Sequence, residues 1–113
     1  MTALSACDPD PVRRTALLER LEIHWPARAA GTSIADLAGA DIAINATPLG
    51  LRATDPLPFD PAGLAADSVV ADIIMQPSET PLLHAAAERG LTVHAGHHML
   101  DHQIEAYRGF FQL

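Results

Sequence analysis

The sequence contains no lysine and only one cysteine, and these absences exclude several classes of protein. Arginine supplies all seven basic residues against fourteen acidic ones, so the formal net charge is −7. An acidic chain without a basic run lacks the electrostatic footprint of a nucleic-acid-binding protein. A single cysteine, Cys7, cannot form an intramolecular disulfide or a cysteine-based zinc site. Because Cys7 lies in a short apolar run, we expect a buried, unreactive thiol.

Long hydrophobic runs are also absent. No segment approaches the roughly 18 apolar residues that a membrane-spanning helix needs, and the N-terminus has no secretory-signal pattern. With one free thiol, this predicts a soluble cytoplasmic protein that contacts neither membrane nor nucleic acid. Aromatic residues make up 4% of the chain and apolar residues 49%. We therefore expect one domain with a core of Leu, Ile, Val and Ala.

Short apolar runs alternate with segments of helical periodicity, which is typical of βαβ units around a parallel sheet. The predicted strands are Ala3–Cys7, Ile23–Trp25, Asp41–Ala46, Val69–Ile74 and Leu91–His94. The predicted helices are Pro11–Ile23 capped by Asp10, a short one over Ile34–Leu37 capped by Ser33, Thr80–Arg89 ended by Gly90, and Met99–Phe111. Thr47–Pro56 is predicted to be a loop. The fold class is therefore α/β, with a parallel sheet flanked by helices.

Parallel sheets place binding groups at the carboxyl ends of their strands. In this sequence those ends carry Asp8, Asn45-Ala46-Thr47, Met75-Gln76 and Gly96-His97-His98. The pattern predicts a ligand-binding edge.

Three motifs follow one another at characteristic spacing. They are Asn45-Ala46-Thr47-Pro48-Leu49-Gly50-Leu51, Thr80-Pro81-Leu82-Leu83 and Gly96-x-x-Met99-Leu100-x-x-Gln103. Together they resemble the C-terminal half of shikimate dehydrogenases, a family that includes quinate/shikimate dehydrogenases. The resemblance runs from about Leu4 to the C-terminus and is strongest over Asp41–Gln103. It implies that residues 1–113 form part of a Rossmann-like NAD(P)-binding domain of an oxidoreductase in the shikimate pathway of aromatic amino-acid biosynthesis.

The resemblance also implies roles for individual residues. Such a domain holds the nicotinamide for hydride transfer between the cofactor and a ring ketone, 3-dehydroshikimate. Gln103 would reach the substrate's hydroxyl or carboxylate, and Met75 stands where many members have a Tyr near the substrate. The residues implied on the nicotinamide side of the cofactor site are Asn45, Ala46, Thr47, Met75 and Gly96.

Cofactor choice depends on the end of the first predicted strand. An acidic residue there accepts hydrogen bonds from the adenosine ribose and repels a 2′-phosphate. Asp8 occupies that place and favours NAD over NADP. Arg13 matches a second basic position that can contact the phosphate, and Asp8 can alternatively serve only to start the turn before the helix.

The family's catalytic Lys and Asp belong to an N-terminal substrate domain, and the seven glycines here contain no Gly-x-Gly pair. The resemblance therefore predicts a partial chain that lacks the first Rossmann strand, the glycine-rich loop and any catalytic residue, and that is inactive alone. Without the first strand, Leu4–Cys7 and Asp41–Ala46 should have unpaired edges, low stability alone and a tendency to associate. The alternative is a noncatalytic binding or assembly module that pairs with a separate chain supplying the missing half.

The histidines at 94, 97, 98 and 102 form the pattern H-x2-H-H-x3-H. His98 and His102 would lie one helical turn apart at ligand spacing, whereas Asp101 would point away from both. In the resembling family this segment precedes the nicotinamide-contacting helix, where no metal is expected, so we predict no metal site. Asp72, within a predicted strand, is interpreted either as a group beside the cofactor or as a carboxylate satisfied by local N–H groups.

Overall fold

The computed structural model describes residues 3–32 and 37–112, and the chain divides into two compact units, Met1–Asp36 and Leu37–Leu113. Both units contain parallel strands and helices, which confirms the predicted α/β class. The helix predicted over Ile34–Leu37, with its Ser33 cap, falls mainly on 33–36, outside the described residues. No helix in the described ranges is long and apolar enough to cross a membrane.

The first unit is a β-α-β arrangement. Strand β1 (Leu4–Cys7), helix α1 (Pro11–His24) and strand β2 (Ala29–Thr32) follow in order, and the two strands pair in parallel. Helix α1 begins as predicted, because the Asp10 side chain accepts hydrogen bonds from the N–H groups of the first turn and proline follows it.

One predicted strand in this unit is wrong, and one strand was not predicted. The segment Ile23–Trp25 is not a strand, because α1 continues through His24 and the Trp25 N–H donates to the Leu21 carbonyl at 2.7 Å. The second strand is Ala29–Thr32, whose small residues carry no apolar strand pattern. A Cβ at Gly31 would lie 2.5 Å from Leu18 Cδ1 of α1, so glycine allows this strand to approach the helix closely.

The prediction of a buried Cys7 is also wrong, because the thiol residue is exposed. Side chains alternate along β1, so Leu4 and Ala6 are half-buried while Ser5 and Cys7 face outward.

The second unit has a three-stranded parallel sheet in the order β3-β4-β5. Its elements are strand β3 (Ile42–Asn45), a 3₁₀ turn (Pro61–Gly63), strand β4 (Val69–Asp72), helix α2 (Pro81–Glu88), strand β5 (Thr92–His94) and helix α3 (His97–Phe111). The predicted loop Thr47–Pro56 contains no helix or strand. Helix α3 begins two residues before the predicted Met99, which changes the arrangement of the histidines.

The core of this unit lies between the sheet and α2. Val70 of β4 packs with Leu82, Leu83 and Ala86, all of which are buried. Helix α2 is stopped where predicted, because Gly90 adopts φ +78°, a left-handed conformation that glycine reaches without a steric penalty.

The face of β3 that points away from the core is exposed among the described residues. Ile42 is 61% and Ile44 59% exposed, whereas Ala43 and Asn45 between and after them are buried. Within the described ranges β3 pairs only with β4, and β1 only with β2. Helix α3 also exposes its apolar side, which includes Leu100, Ile104, Tyr107 and Phe111. Low stability of the chain alone stays a prediction.

Leu82→Ala should destabilise this unit by about 2–5 kcal/mol, because it removes buried methyl groups and leaves a cavity beneath the sheet. The exposed Phe110→Ala, at the end of α3, is the matched control and should change stability by less than about 0.5 kcal/mol. Urea denaturation followed by circular dichroism measures both, and equal effects would contradict the assigned core.

Candidate functional site

A buried polar network lies at the carboxyl ends of β3 and β4. Asn45 is the last residue of β3 and Asp72 the last of β4, and the two are partners in the parallel register. They are 1% and 3% exposed, and Thr80, which follows β4 along the chain, is 0% exposed. Buried polar groups are stable only when they are hydrogen-bonded, so the contacts of these three residues determine the local structure.

Asn45 uses its whole side-chain hydrogen-bonding capacity within the protein. Its Nδ2 donates to the Leu49 carbonyl at 2.9 Å and to Asp72 Oδ1 at 3.2 Å. Its Oδ1 accepts from the backbone N–H of Thr47 at 3.0 Å and from the Thr47 hydroxyl at 2.6 Å. Because an amide offers two donors and two acceptor sites, Asn45 is saturated. It fixes the path of the chain as it leaves β3.

Asp72 joins three segments. Its Oδ1 accepts from the N–H of Ile74 at 3.0 Å as well as from Asn45, and its Oδ2 accepts from the Thr80 hydroxyl at 2.9 Å. The Thr80 oxygen in turn accepts from the N–H of Leu83 and caps α2. Among the described residues, no buried side-chain polar atom lacks a partner. Of the two interpretations of Asp72, the geometry therefore supports a structural one, with side-chain partners added to the local N–H.

The loop after β3 is held by a second carboxylate. Asp55 Oδ2 accepts from the N–H groups of Gly50 at 3.0 Å and Arg52 at 3.1 Å. These two hydrogen bonds lower the pKa of Asp55, since they stabilise its ionised form. Gly50 has φ +117°, which other residues rarely adopt, and a Cβ there would lie 3.1 Å from Ile74 Cδ1. Because position 50 has no side chain, the loop packs closely against Ile74 at the end of β4.

Glycine is required at position 96 because the backbone of Ile73 and Ile74 approaches it closely. A Cβ at this position would overlap the Ile74 carbonyl oxygen and would lie 2.6 Å from the Ile73 carbonyl. Gly96 is buried and immediately precedes α3. The end of β4 and the start of α3 can approach each other only because position 96 has no side chain.

The other predicted residues of this unit are more accessible. Ala46 and Thr47 are exposed at the sheet edge, and Met75 is 41% exposed beside the cis peptide bond of Gln76–Pro77. Gln103 lies on exposed α3, where its Oε1 accepts from the Tyr107 hydroxyl at 3.1 Å. Sequence reasoning overlooked Thr80 and Asp55 as members of the site, although Thr80 was predicted to begin a helix.

In the first unit, Asp8 and Arg13 form a two-point ion pair. Arg13 Nε lies 3.1 Å from Asp8 Oδ2, and Arg13 Nη2 lies 3.2 Å from Asp8 Oδ1, which also accepts from the N–H of Asp10. The hydrogen bond from Arg13, followed by that from Asp10, lowers the pKa of Asp8. Arg14 donates to the Asp8 carbonyl. The two residues that sequence analysis connected with cofactor choice thus contact each other directly.

Three histidines gather around the start of α3. The His98 ring lies 4.0 Å from that of His97 and 4.7 Å from that of His94, measured between centroids. Partial burial, followed by repulsion from His97 and His94, lowers the pKa of His98. Because the helix begins at His97, Asp101 lies one turn from that residue, and His97 Nδ1 is 3.2 Å from Asp101 Oδ2.

The chain was compared with family models, curated proteins and solved structures. No family model matches it. The shikimate dehydrogenase (NADP(+)) of Rhodopseudomonas palustris strain TIE-1 is 47% identical over 76 residues, 67% of this chain and 27% of that enzyme. That of Acidiphilium cryptum strain JF-5 is 40% identical over 101 residues, 88% of this chain and 36% of that enzyme.

Among solved structures, quinate dehydrogenase from Corynebacterium glutamicum in complex with NAD matches with a TM-score of 0.84 and 34% identity. The match covers 99% of this chain and 42% of that one. The chain is related to the shikimate and quinate dehydrogenases. It spans about a third of the length of the curated relatives that it matches.

Three residues of the buried polar network lie in the motifs that resemble those of shikimate and quinate dehydrogenases. Asn45 and Thr47 belong to the first motif and Thr80 to the second, while Gly96 begins the third. The structure shows that the first two motifs are joined through Asp72. Their spacing along the chain therefore reflects one physical unit at the end of the sheet.

Asp72→Ala should destabilise the second unit by about 2–4 kcal/mol, because it leaves buried donors of Asn45, Ile74 and Thr80 without their acceptor. Asp72→Asn, which retains one acceptor oxygen, should cost less. The exposed Asp67→Ala is the control for charge removal and should have little effect. If urea denaturation gave Asp72→Ala and Asp67→Ala equal stability, the network would not have the structural role assigned to it.

Arg13→Ala should raise the pKa of Asp8 toward its ordinary value, since the largest cause of its lowering is the hydrogen bond from Arg13. Because the pKa of Asp8 is lower in the folded than in the unfolded chain, ionised Asp8 stabilises the fold. This stabilisation is complete at pH values above the unfolded-state pKa and is lost as the pH falls through the folded-state pKa. An NMR titration of the Asp8 carboxyl carbon measures the shift. Arg20→Ala, at an exposed position on the same helix, should leave the Asp8 titration unchanged; a similar rise in that variant would argue against the ion pair.

Proposed function

We propose that this chain supplies nicotinamide-cofactor binding to a NAD(P)-dependent shikimate- or quinate-type dehydrogenase, and orients the cofactor for hydride transfer. The proposal is carried by the polar network that fixes the chain after β3, because this network lies within the segment that resembles those enzymes. Carboxyl ends of parallel strands are where open α/β sheets bind ligands. The nicotinamide ring, when bound, accepts or delivers the hydride.

The nicotinamide side is proposed to comprise Asn45, Ala46, Thr47, Met75 and Gly96. Asn45 acts through the backbone, because all its side-chain hydrogen bonds are internal. The exposed Ala46 and Thr47 therefore form a rigid rim whose position is set before any ligand arrives. A rim fixed in advance costs less conformational entropy when a cofactor binds.

Gln103 is proposed as a substrate contact. Only its Oε1 has a partner among the described residues, the Tyr107 hydroxyl at 3.1 Å. Its amide N–H₂ can therefore donate to a hydroxyl or carboxylate oxygen of a shikimate- or quinate-type substrate.

Asp8 is proposed to select NAD. Its carboxylate stays ionised because its pKa is lowered, and among the described residues its Oδ2 accepts one hydrogen bond, from Arg13. The remaining lone pair suits the 2′-hydroxyl of an adenosine ribose, so the residues present fit NAD. A 2′-phosphate would instead meet a negative charge, and Arg13 could bind it only by leaving Asp8.

No residue of this chain is proposed to transfer a proton to or from the substrate. The resembling enzymes use a lysine and an aspartate of a separate substrate domain, and these 113 residues contain no lysine. We therefore expect the chain alone to bind cofactor without measurable oxidation of shikimate or quinate.

NADH should bind to the purified chain more tightly than NADPH in isothermal titration. Asp8→Asn should lower the ratio of the two affinities by about tenfold, equivalent to about 1.4 kcal/mol, because it removes the charge that repels the phosphate. Asp67→Asn changes the charge equally at an exposed position of the second unit and should leave the ratio unchanged. A folded chain that binds neither nucleotide would overturn the proposed function, and an unchanged ratio in Asp8→Asn would overturn the assignment of NAD.

A second candidate function, an assembly module completed by a separate chain, is favoured by the exposed Ile42 and Ile44 and by the open edge of β3. Size-exclusion chromatography with light scattering separates the two proposals. A monomer that binds NADH supports cofactor binding by the chain alone. Cofactor binding that appears only with a second polypeptide supports the module.

A further inference from the structure

The strongest unassigned cluster of metal-ligating groups in the described residues lies on the first turns of α3. One ligand atom from each of His97, His98 and Asp101 can be chosen so that all three lie within 4.8 Å of one another. Two of these residues are exposed and His98 is half-buried. The cluster is therefore open to an ion from solvent.

The position of the helix start brings these groups together. Residues one turn apart share a helix face, and α3 begins at His97 rather than at Met99. His97 Nδ1 consequently lies 3.2 Å from Asp101 Oδ2. The His97 and His98 rings are 4.0 Å apart between centroids. The sequence analysis noted His98 and His102 as the pair at ligand spacing and predicted no metal site.

The donor set matches the preferences of a borderline divalent ion. Imidazole nitrogen and carboxylate oxygen bind Zn²⁺ at about 2.0–2.2 Å, which places neighbouring tetrahedral ligands roughly 3.3 Å apart. His97 and Asp101 already have this separation. The ligand atom of His98 lies within 4.8 Å of the other two, and a rotation of its side chain has to bring it to the same separation.

His94 lies beside His98. It ends β5, and its ring lies 4.7 Å from the His98 ring between centroids. We propose that His97, His98 and Asp101 bind one divalent transition-metal ion of the Zn²⁺ class, with water completing its coordination.

A second histidine with acidic neighbours shows why this cluster differs. His84 on α2 contacts Glu79 through Nδ1 and Glu88 through Nε2, each at 3.1 Å. The two carboxylates lie at opposite nitrogens of one ring, so they cannot share an ion bound to a single nitrogen. His84 is therefore a matched control that is exposed, paired with carboxylates and outside the proposed site.

The test is calorimetric titration of the untagged full chain with ZnCl₂ in a buffer that does not chelate zinc. We expect one ion per chain, with affinity reduced at least about tenfold in His97→Ala and in His98→Ala. Asp101→Asn, which preserves shape and removes charge, should also weaken binding. His84→Ala should bind as tightly as the unmodified chain. Circular dichroism at 222 nm confirms that each variant retains its helices.

Three results would overturn the proposal. These are a folded chain that binds no zinc, binding that survives in the double variant His97→Ala/His98→Ala, and one ion shared by two chains. The proposal is independent of the proposed cofactor function, because zinc and NADH are titrated separately and either can fail alone.

Discussion

The buried carboxylate of Asp72 is the constraint on which the second unit depends. A carboxyl group removed from water requires several hydrogen-bond partners in place of its hydration shell. Asp72 finds them in Asn45 of the neighbouring strand, in the N–H of Ile74 and in the hydroxyl of Thr80. One side chain therefore connects the end of β3, the end of β4 and the start of α2. Asn45 extends the same constraint to the following loop.

For function, this means that internal hydrogen bonds fix the structure of the sheet edge without a ligand. The internal bonds of Asn45 fix the start of the loop that carries the exposed Ala46 and Thr47, and Gly96 allows α3 to begin close against the end of β4. Shikimate dehydrogenases of Rhodopseudomonas palustris and Acidiphilium cryptum are 47% and 40% identical to this chain over 76 and 101 residues. In the first unit, the ion pair of Asp8 with Arg13 combines an acidic group suited to a ribose hydroxyl with a basic group suited to a phosphate. We propose that the choice between NAD and NADP depends on the competition between this acidic group and this basic group.

The sequence predicted much of this arrangement where the determinants are local. Asp10 was identifiable as a cap because a capping side chain and a following proline act within one turn, and this cap is confirmed. Thr80 was predicted only to begin the helix, and the structure shows that its side chain caps it. The strand Ala29–Thr32 was overlooked because its small residues form no apolar alternation, although it pairs in parallel with β1 and Gly31 lets it approach Leu18. Asp72 and Asn45 are 27 residues apart in sequence, so no local pattern reveals that they share a hydrogen bond. The site residues assigned by resemblance stay proposals.

The central claim is that the rim formed by residues 45–47 and the start of α3 holds the nicotinamide. A titration of the ¹⁵N-labelled chain with NADH, followed by two-dimensional NMR, tests it directly. The account predicts saturable shifts of the backbone amides of Ala46, Thr47 and Gly96, with the distant Gly109 amide unchanged. Saturable NADH binding that leaves the three rim amides unmoved, or an absence of binding by the folded chain, would contradict it.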